Sequence, residues 1–300
     1  MNAAVTLRAS TRVVPLASGI EIVSTDTGAT ASGADVNALA HHAHTRLVVQ
    51  ILRALGVSSG LRIETTSRVP AGSGLGGSSA LAVTIAAAVA HALGREFSRP
   101  ALRDLVRDAE AQVILVPTGI QDYEAAVHGG VLDVALNPGA IETVSLVGGA
   151  EFVEDKILLV DAGVTRFSGL NNWEMFKAQV DGTGNTRELF AGIVRAAGEA
   201  RMAILEADEA RLIRAVALEW QARRSLASGI ATPEVDTIVE TAVRLGGAGK
   251  VCGAGGGGVV LALAPRGSRA SLAADFAGQG FRVIDAGVDR VGLQVRDETV

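Results

Sequence analysis

Pro70-Ala71-Gly72-Ser73-Gly74-Leu75-Gly76-Gly77-Ser78-Ser79-Ala80 is the stretch that decides how this 300-residue chain is read. It lies between a predicted strand over 61–66 and a predicted helix over 80–93. Glycine accepts positive φ and lets the backbone approach a ligand closely. A run of N–H groups that ends in a helix N-terminus forms a concave anion site. The serines can cap the helix or offer a hydroxyl to a metal. These are the parts needed to hold a nucleotide triphosphate. A flexible Gly/Ser connection is the poorer reading, because a Pro-led loop that opens a helix is not linker composition.

Two other phosphate motifs fit less well. Gly72-x-Gly74-x-x-Gly77 has the spacing of a dinucleotide fingerprint, which needs a second parallel strand ending in an acidic residue about 20 positions on. Glu96 stands near that offset, but it follows Gly94 and precedes another predicted helix. Around Gly249-Lys250 the Walker pattern fails, since Arg244 occupies the place of its first glycine and Val251 that of its hydroxyl residue.

Further out, composition bounds the class. At 300 residues the chain forms one large domain or two closely joined ones, and 48% hydrophobic content supports a sizeable core. A net charge of −5 argues against nucleic acid as a partner, although a local basic patch could receive a phosphorylated substrate. Cys252 is the single cysteine, which excludes an internal disulfide and a multi-cysteine metal site. No charged-then-apolar leader opens the sequence, and its longest apolar stretch, 80–93, is short for a bilayer and contains Thr84 and His91. The expectation is a cytoplasmic protein with no membrane partner.

Short strands are predicted over 3–14 and 19–25, then a helix over 35–55 with Val36, Leu39, Leu47, Ile51 and Leu55 on one face and Gly56 as its stop. Ser98 is a good N-cap for a helix over 100–113, with Pro100 in the first turn. Strands over 131–135 and 141–147 flank the turn Asn137-Pro138-Gly139. Beyond a buried strand over 157–161 come amphipathic helices over 186–207, 209–226 and 233–245. A glycine-broken apolar run over 251–264, a helix over 269–277 and a strand over 281–285 follow. A strand-rich first half and a helix-rich second half make an α+β layout with a boundary near 150.

Several residues carry chemistry. Asp122, on a predicted loop between a helix and a strand pair, suits a turn or cap when read alone, but a carboxylate there can also accept a proton from an attacking hydroxyl. Glu110, twelve residues upstream on a helix, reads on its own as part of a solvated face. Lys250 either reaches a phosphate or is solvated. Asn171-Asn172-Trp173 offers amides and an aromatic face that suit a sugar; alternatively Asn171 caps a helix over 173–180 and Trp173 packs. His41, His42 and His44 lack a carboxylate partner, so a solvated turn is the better reading.

The stretch over 70–80 resembles the second signature of the GHMP kinase superfamily, which includes galactokinase, homoserine kinase and mevalonate kinase. That signature runs Pro-x-x-x-Gly-Leu-Gly-x-Ser-Ser-Ala. Cys252-Gly253-Ala254-Gly255-Gly256-Gly257-Gly258 is similar to the third, and Gly119-Ile120-Gln121-Asp122 followed by Gly129-Gly130 is similar to the family's Gly-x-x-Asp segment. The order and spacing of the three elements match the family over roughly residues 1–295. The resemblance implies a two-domain α+β fold, with a ribosomal-protein-S5-like N-terminal domain over 1–150 and a ferredoxin-like helix-plus-sheet domain over 151–300. It implies ATP and Mg2+ as cofactors and phosphorylation of an alcohol hydroxyl. ATP would be bound by Pro70, Gly72, Ser73, Gly74, Leu75, Gly76, Gly77, Ser78 and Ser79. Ser79 and Glu110 would hold the metal, with Asp122 as the catalytic base. Gly119, Gln121, Asp122, Tyr123, Asn171, Asn172, Gly255 and Gly256 would bind substrate.

Gln121-Asp122-Tyr123-Glu124 looks closer to the heptose-phosphate and fucose kinase branch than to mevalonate kinases, so a sugar or sugar phosphate is the expected acceptor. A kinase of a non-sugar alcohol such as mevalonate, and a non-catalytic nucleotide or sugar binder, are the alternatives. A homodimer is left open. The family's first signature, with its Arg or Lys and its acidic sugar-binding residue, has no counterpart here. Met1-Asn2-Ala3-Ala4-Val5 resembles the second strand of that fold, with Arg8 and Arg12 as weak substitutes for the lost residues, and the expectation is that roughly 25–35 further upstream residues would complete the domain.

Overall fold

Gly76 takes φ +69°, and from it the chain turns directly into a helix at Gly77. The computed structural model describes residues 1–164 and 169–298, with the backbone alone for 169–172. Along the chain run β1 (Asn2–Ala3), β2 (Ala9–Pro15), β3 (Ile20–Ser24), β4 (Thr30–Gly33), α1 (Arg46–Ala54), β5 (Leu61–Ser67), α2 (Gly77–Ala92), α3 (Arg99–Ile114), α4 (Gln121–His128), β6 (Val131–Asn137) and β7 (Ala140–Ser145). After them come α5 (Gly149–Glu154), β8 (Ile157–Asp161), α6 (Gly169–Asp181), α7 (Thr186–Glu206), α8 (Glu209–Arg224), α9 (Pro233–Arg244), β9 (Ala248–Val251), β10 (Val259–Leu263), α10 (Arg269–Gly278) and β11 (Arg282–Ile284).

By contact the chain divides into two units. The smaller comprises Leu7–Pro70, Gly76–Gly129 and Val291–Val300; the larger comprises Met1–Thr6, Ala71–Leu75 and Gly130–Arg290. The expected boundary near residue 150 is a division by sequence, whereas contact follows strand pairing: β1 pairs with β6, and so the first residues join the larger unit.

In the smaller unit the sheet order is β2-β5-β3-β4. β5 pairs antiparallel with β2 and parallel with β3, which sets Ile63 beside Ile22. The period-two pattern buries Ile20, Ile22, Leu61 and Ile63 against the helices. α2 is apolar nearly all round, and its Ala82, Val83, Ile85, Ala86, Val89 and Ala90 are all buried, as a helix without a polar face must be. Ser98 caps α3 by accepting a hydrogen bond from the Ala101 N–H at 3.3 Å. The helix expected over 35–55 begins only at Arg46. Asp35 Oδ1 accepts from the N–H groups of Asn37 and Ala38, and Thr45 Oγ1 donates to the Leu39 carbonyl at 2.7 Å. Such local side-chain bonds hold turns in place of helix, while Val36 and Leu39 still reach the core.

The segment Val291–Val300 returns to this unit. Leu293 packs on its core, Arg8 Nη1 donates to the Gly292 carbonyl, Arg12 Nε donates to Glu298 Oε2 at 2.7 Å, and the His91 ring meets Asp297 Oδ1 at 2.9 Å.

The larger unit holds an antiparallel sheet of order β11-β8-β10-β9, and a second of order β1-β6-β7. Val260 stands opposite both Val160 and Val251, with all three buried. α9 starts on Thr232, whose side chain accepts from the Val235 N–H, with Pro233 at its first position. Its Val235, Ile238, Val239 and Ala242 join that sheet's core. Among the described residues no helix is long and apolar enough to cross a membrane.

Candidate active site

The smaller unit gathers an oxygen-rich cluster at the start of α2. Ser79, in the first turn of α2, is buried, and its Oγ donates to Glu110 Oε2 of α3 at 3.0 Å. Glu110 is 8% exposed, so it is a buried carboxylate and not part of a solvated face. Tyr123 of α4 is 0% exposed, and its hydroxyl donates to the same Oε2. Thr118 Oγ1 lies 3.0 Å from the tyrosine oxygen. A carboxylate and a hydroxyl side by side are the donor chemistry that magnesium prefers, and that ion also leans on water and substrate phosphates. The fit is to a site with few protein ligands: no group of three or more His, Cys, Asp or Glu side chains suited to a metal occurs among the described residues, His41, His42 and His44 included.

Asp122 stands against the helix opening. A Cβ placed on Gly76 would come within 2.9 Å of Asp122 Cγ, so the glycine is what admits the carboxylate there. Withdrawal from water, and after it the charge of Glu110, pushes the Asp122 carboxyl up to about 6. Asp122 is the second residue of helix α4, not a loop residue as expected. Pro117 upstream and Gly129 at φ +67° confine this helix to eight residues, and carboxylates in its first turn favour it through the peptide dipoles. α4 is tied to α3 by the buried pair Arg103 Nη1–Glu124 Oε1 at 2.8 Å, and His128 Nε2 lies 3.2 Å from the other oxygen of Glu124. Arg103, Thr118 and His128 carried no sequence signal.

The larger unit holds the other half of the glycine stretch, packed on the second glycine-rich segment. The Val259 N–H donates to the Ser73 carbonyl at 2.9 Å. A Cβ on Gly74, which has φ +75°, would come within 2.6 Å of the Cys252 carbonyl oxygen. One on Gly258 would come within 2.7 Å of the Ser73 carbonyl oxygen. Gly256 donates its N–H to the Ile230 carbonyl at 2.9 Å, and Gly255 abuts the same isoleucine. The two residues expected at the substrate are thus engaged with Ile230. Lys250 is paired with Glu219 at 2.9 Å, not free in solvent.

The remaining expected site residues fall as follows. Ser73 is buried; Pro70, Leu75 and Gly77 are partly exposed; Gly72 and Ser78 are exposed. Gly119 and Gln121 are exposed just before and at the start of α4. Tyr123, expected at the substrate, points instead at Glu110. Asn171 and Asn172 lie within α6, which begins at Gly169, and their side chains are outside the described residues. Trp173 on the same helix is half exposed.

Comparison with known proteins bears on the family. Residues 43–130 match the family model for the GHMP kinases N-terminal domain, and residues 200–282 that for the C-terminal domain. The chain is 28% identical over 208 residues to D-glycero-alpha-D-manno-heptose 7-phosphate kinase of Campylobacter jejuni, covering 66% of this chain and 60% of that one. It is 30% identical over 246 residues to mevalonate kinase of Pyrococcus horikoshii, covering 79% of this chain and 69% of that one. The crystal structure of a D-glycero-D-manno-heptose 1-phosphate kinase from Bacteroides thetaiotaomicron superposes with a TM-score of 0.77 at 18% identity, over 98% of this chain and 90% of that one, which shows a shared fold. With both domain models matched in order, and the Pyrococcus relative covered over more than two thirds of its length, the chain belongs to the GHMP kinase family.

Proposed function

We propose that this protein transfers the γ-phosphoryl group of ATP to a hydroxyl of a sugar or sugar phosphate, with a heptose phosphate as the favoured acceptor. The observation that carries the reading is the Asp122 carboxylate set against Gly76, at the head of a helix whose first N–H groups suit phosphate. In this reading the N–H groups at the start of α2 orient the triphosphate. Asp122 takes the proton of the acceptor hydroxyl as its oxygen bonds to the γ-phosphorus. The bond from that phosphorus to the bridging oxygen breaks, and ADP leaves with the electron pair. Ser79 and Glu110 would hold magnesium, which when bound offsets charge on the phosphate oxygens. Catalysis of this kind is chiefly positioning and charge stabilisation.

The sugar preference rests on Gln121-Asp122 and on the similarity to the Campylobacter heptose kinase. A second reading, a non-sugar alcohol such as mevalonate, has the support of the similarity to the Pyrococcus mevalonate kinase. ADP release measured with ATP, Mg2+ and a panel of heptose 7-phosphate, galactose, fucose and mevalonate separates the two. Turnover confined to the heptose phosphate supports the first reading; turnover confined to mevalonate sinks it.

A further inference from the structure

We propose that Tyr123 is a positioning residue that locks the Glu110 carboxylate for metal and makes no contact with the acceptor. The inference rests on Glu110 being the metal ligand of the function proposed above. Two donors, Tyr123 Oη and Ser79 Oγ, converge on one oxygen of Glu110, Oε2. Among the described residues no hydrogen bond goes to Oε1. A carboxylate gripped through one oxygen by two buried donors has a fixed plane, with its second oxygen left to face a cation. Outer partners that fix a ligating carboxylate in this way commonly set metal affinity.

Helix geometry explains how neighbours come to have different tasks. Asp122 and Tyr123 are consecutive on α4, so their side chains diverge by about 100° around the helix axis. Asp122 turns to Gly76, while Tyr123 turns into the hydrophobic core of this unit. A fully buried ring has no surface to offer a sugar. Its hydroxyl is satisfied inside by Glu110 and Thr118. One short helix thus sets both the base and, through Tyr123, the orientation of the metal ligand.

The test is Tyr123→Phe, which keeps the ring that fills the core and removes only the donor. AMP-PNP affinity is measured by calorimetry across a Mg2+ titration for wild type, Tyr123→Phe, Glu110→Gln and the double variant. The metal-free affinity of Tyr123→Phe is expected to stay within about twofold, while the Mg2+ concentration for half-maximal tightening rises about tenfold. If Tyr123 acts through Glu110, the double variant is no worse than Glu110→Gln alone. Thr118→Val keeps the test open should Tyr123→Phe misfold; it is expected to shift the Mg2+ midpoint the same way by about twofold. An unshifted midpoint in a folded variant overturns the inference, as do fully additive effects in the double variant. A wild type whose AMP-PNP affinity ignores Mg2+ removes the metal reading of Glu110 itself, which is a separate result.

Discussion

The two glycine-rich segments have similar compositions and different physics. At 70–80 the decisive glycine, Gly76, faces a side chain: the atoms a Cβ would meet are Cβ and Cγ of Asp122. At 252–258 three glycines face backbone first: Gly258 meets the carbonyls of Ser73 and Gly72, Gly253 meets Gly74, and Gly257 meets the Val164 carbonyl. A side chain can yield by rotating, so crowding it displaces a functional group. A backbone held by hydrogen bonds cannot, so crowding it strains the fold. Glycine content alone therefore does not say whether a loop serves a ligand or serves packing; the neighbour of the absent Cβ does.

The contrast can be broken by substitution. Asp122→Asn keeps shape and removes the base, so the phosphoryl-transfer rate is expected to fall by about 10²–10⁴ with ATP affinity within a few-fold. A variant that keeps most of its kcat would show that Asp122 is not the base. Gly258→Ala forces a Cβ into the Ser73 carbonyl at positive φ and should cost about 2–4 kcal/mol in urea unfolding. Gly76→Ala should do the opposite: a smaller loss of stability, about 1–2 kcal/mol for the left-handed conformation, but a rate reduced about tenfold to a hundredfold by displaced Asp122. Equal stability losses in the two alanine variants would erase the distinction.

The remaining effect concerns charge. The Asp122 carboxyl titrates near 6 in the folded chain and nearer 3.8 when unfolded. Its raised value means that the folded state holds the proton more tightly. Its ionisation therefore costs stability as pH rises from about 4 to 6, and the full cost stands above 6. Without metal, Asp122→Asn is expected to be more stable than wild type by about 1–3 kcal/mol at pH 7.5, with the gap closing near pH 4. Denaturant midpoints at the two pH values check this, and a constant gap would contradict the burial of that charge.

Much of the fold was legible because its signals are local. The Gly76 turn into α2, the Ser98 cap and the Asn137–Gly139 turn each follow from the conformational preference of a few adjacent residues. What was not legible depended on partners distant in sequence. Nothing near Tyr123 reveals that its hydroxyl finds Glu110, thirteen positions back. The sequence predicts a loop where α4 stands, because a helix of eight residues is too short to display a helical period. Gly255 and Gly256 look ligand-directed until Ile230 is found beside them. The Val36 and Leu39 spacing imitated helix because a turn held by Asp35 and Thr45 delivers the same side chains to the core.

The return of Val291–Val300 to the smaller unit has a consequence for synthesis. A ribosome that has released residues 7–129 has delivered that unit's four-stranded sheet and its helices, but not the segment carrying Leu293, Asp297 and Glu298. All of residues 130–290 must emerge first. The nascent smaller unit therefore waits with part of its core uncovered while the larger one is made, a period in which chaperone capture competes with closure.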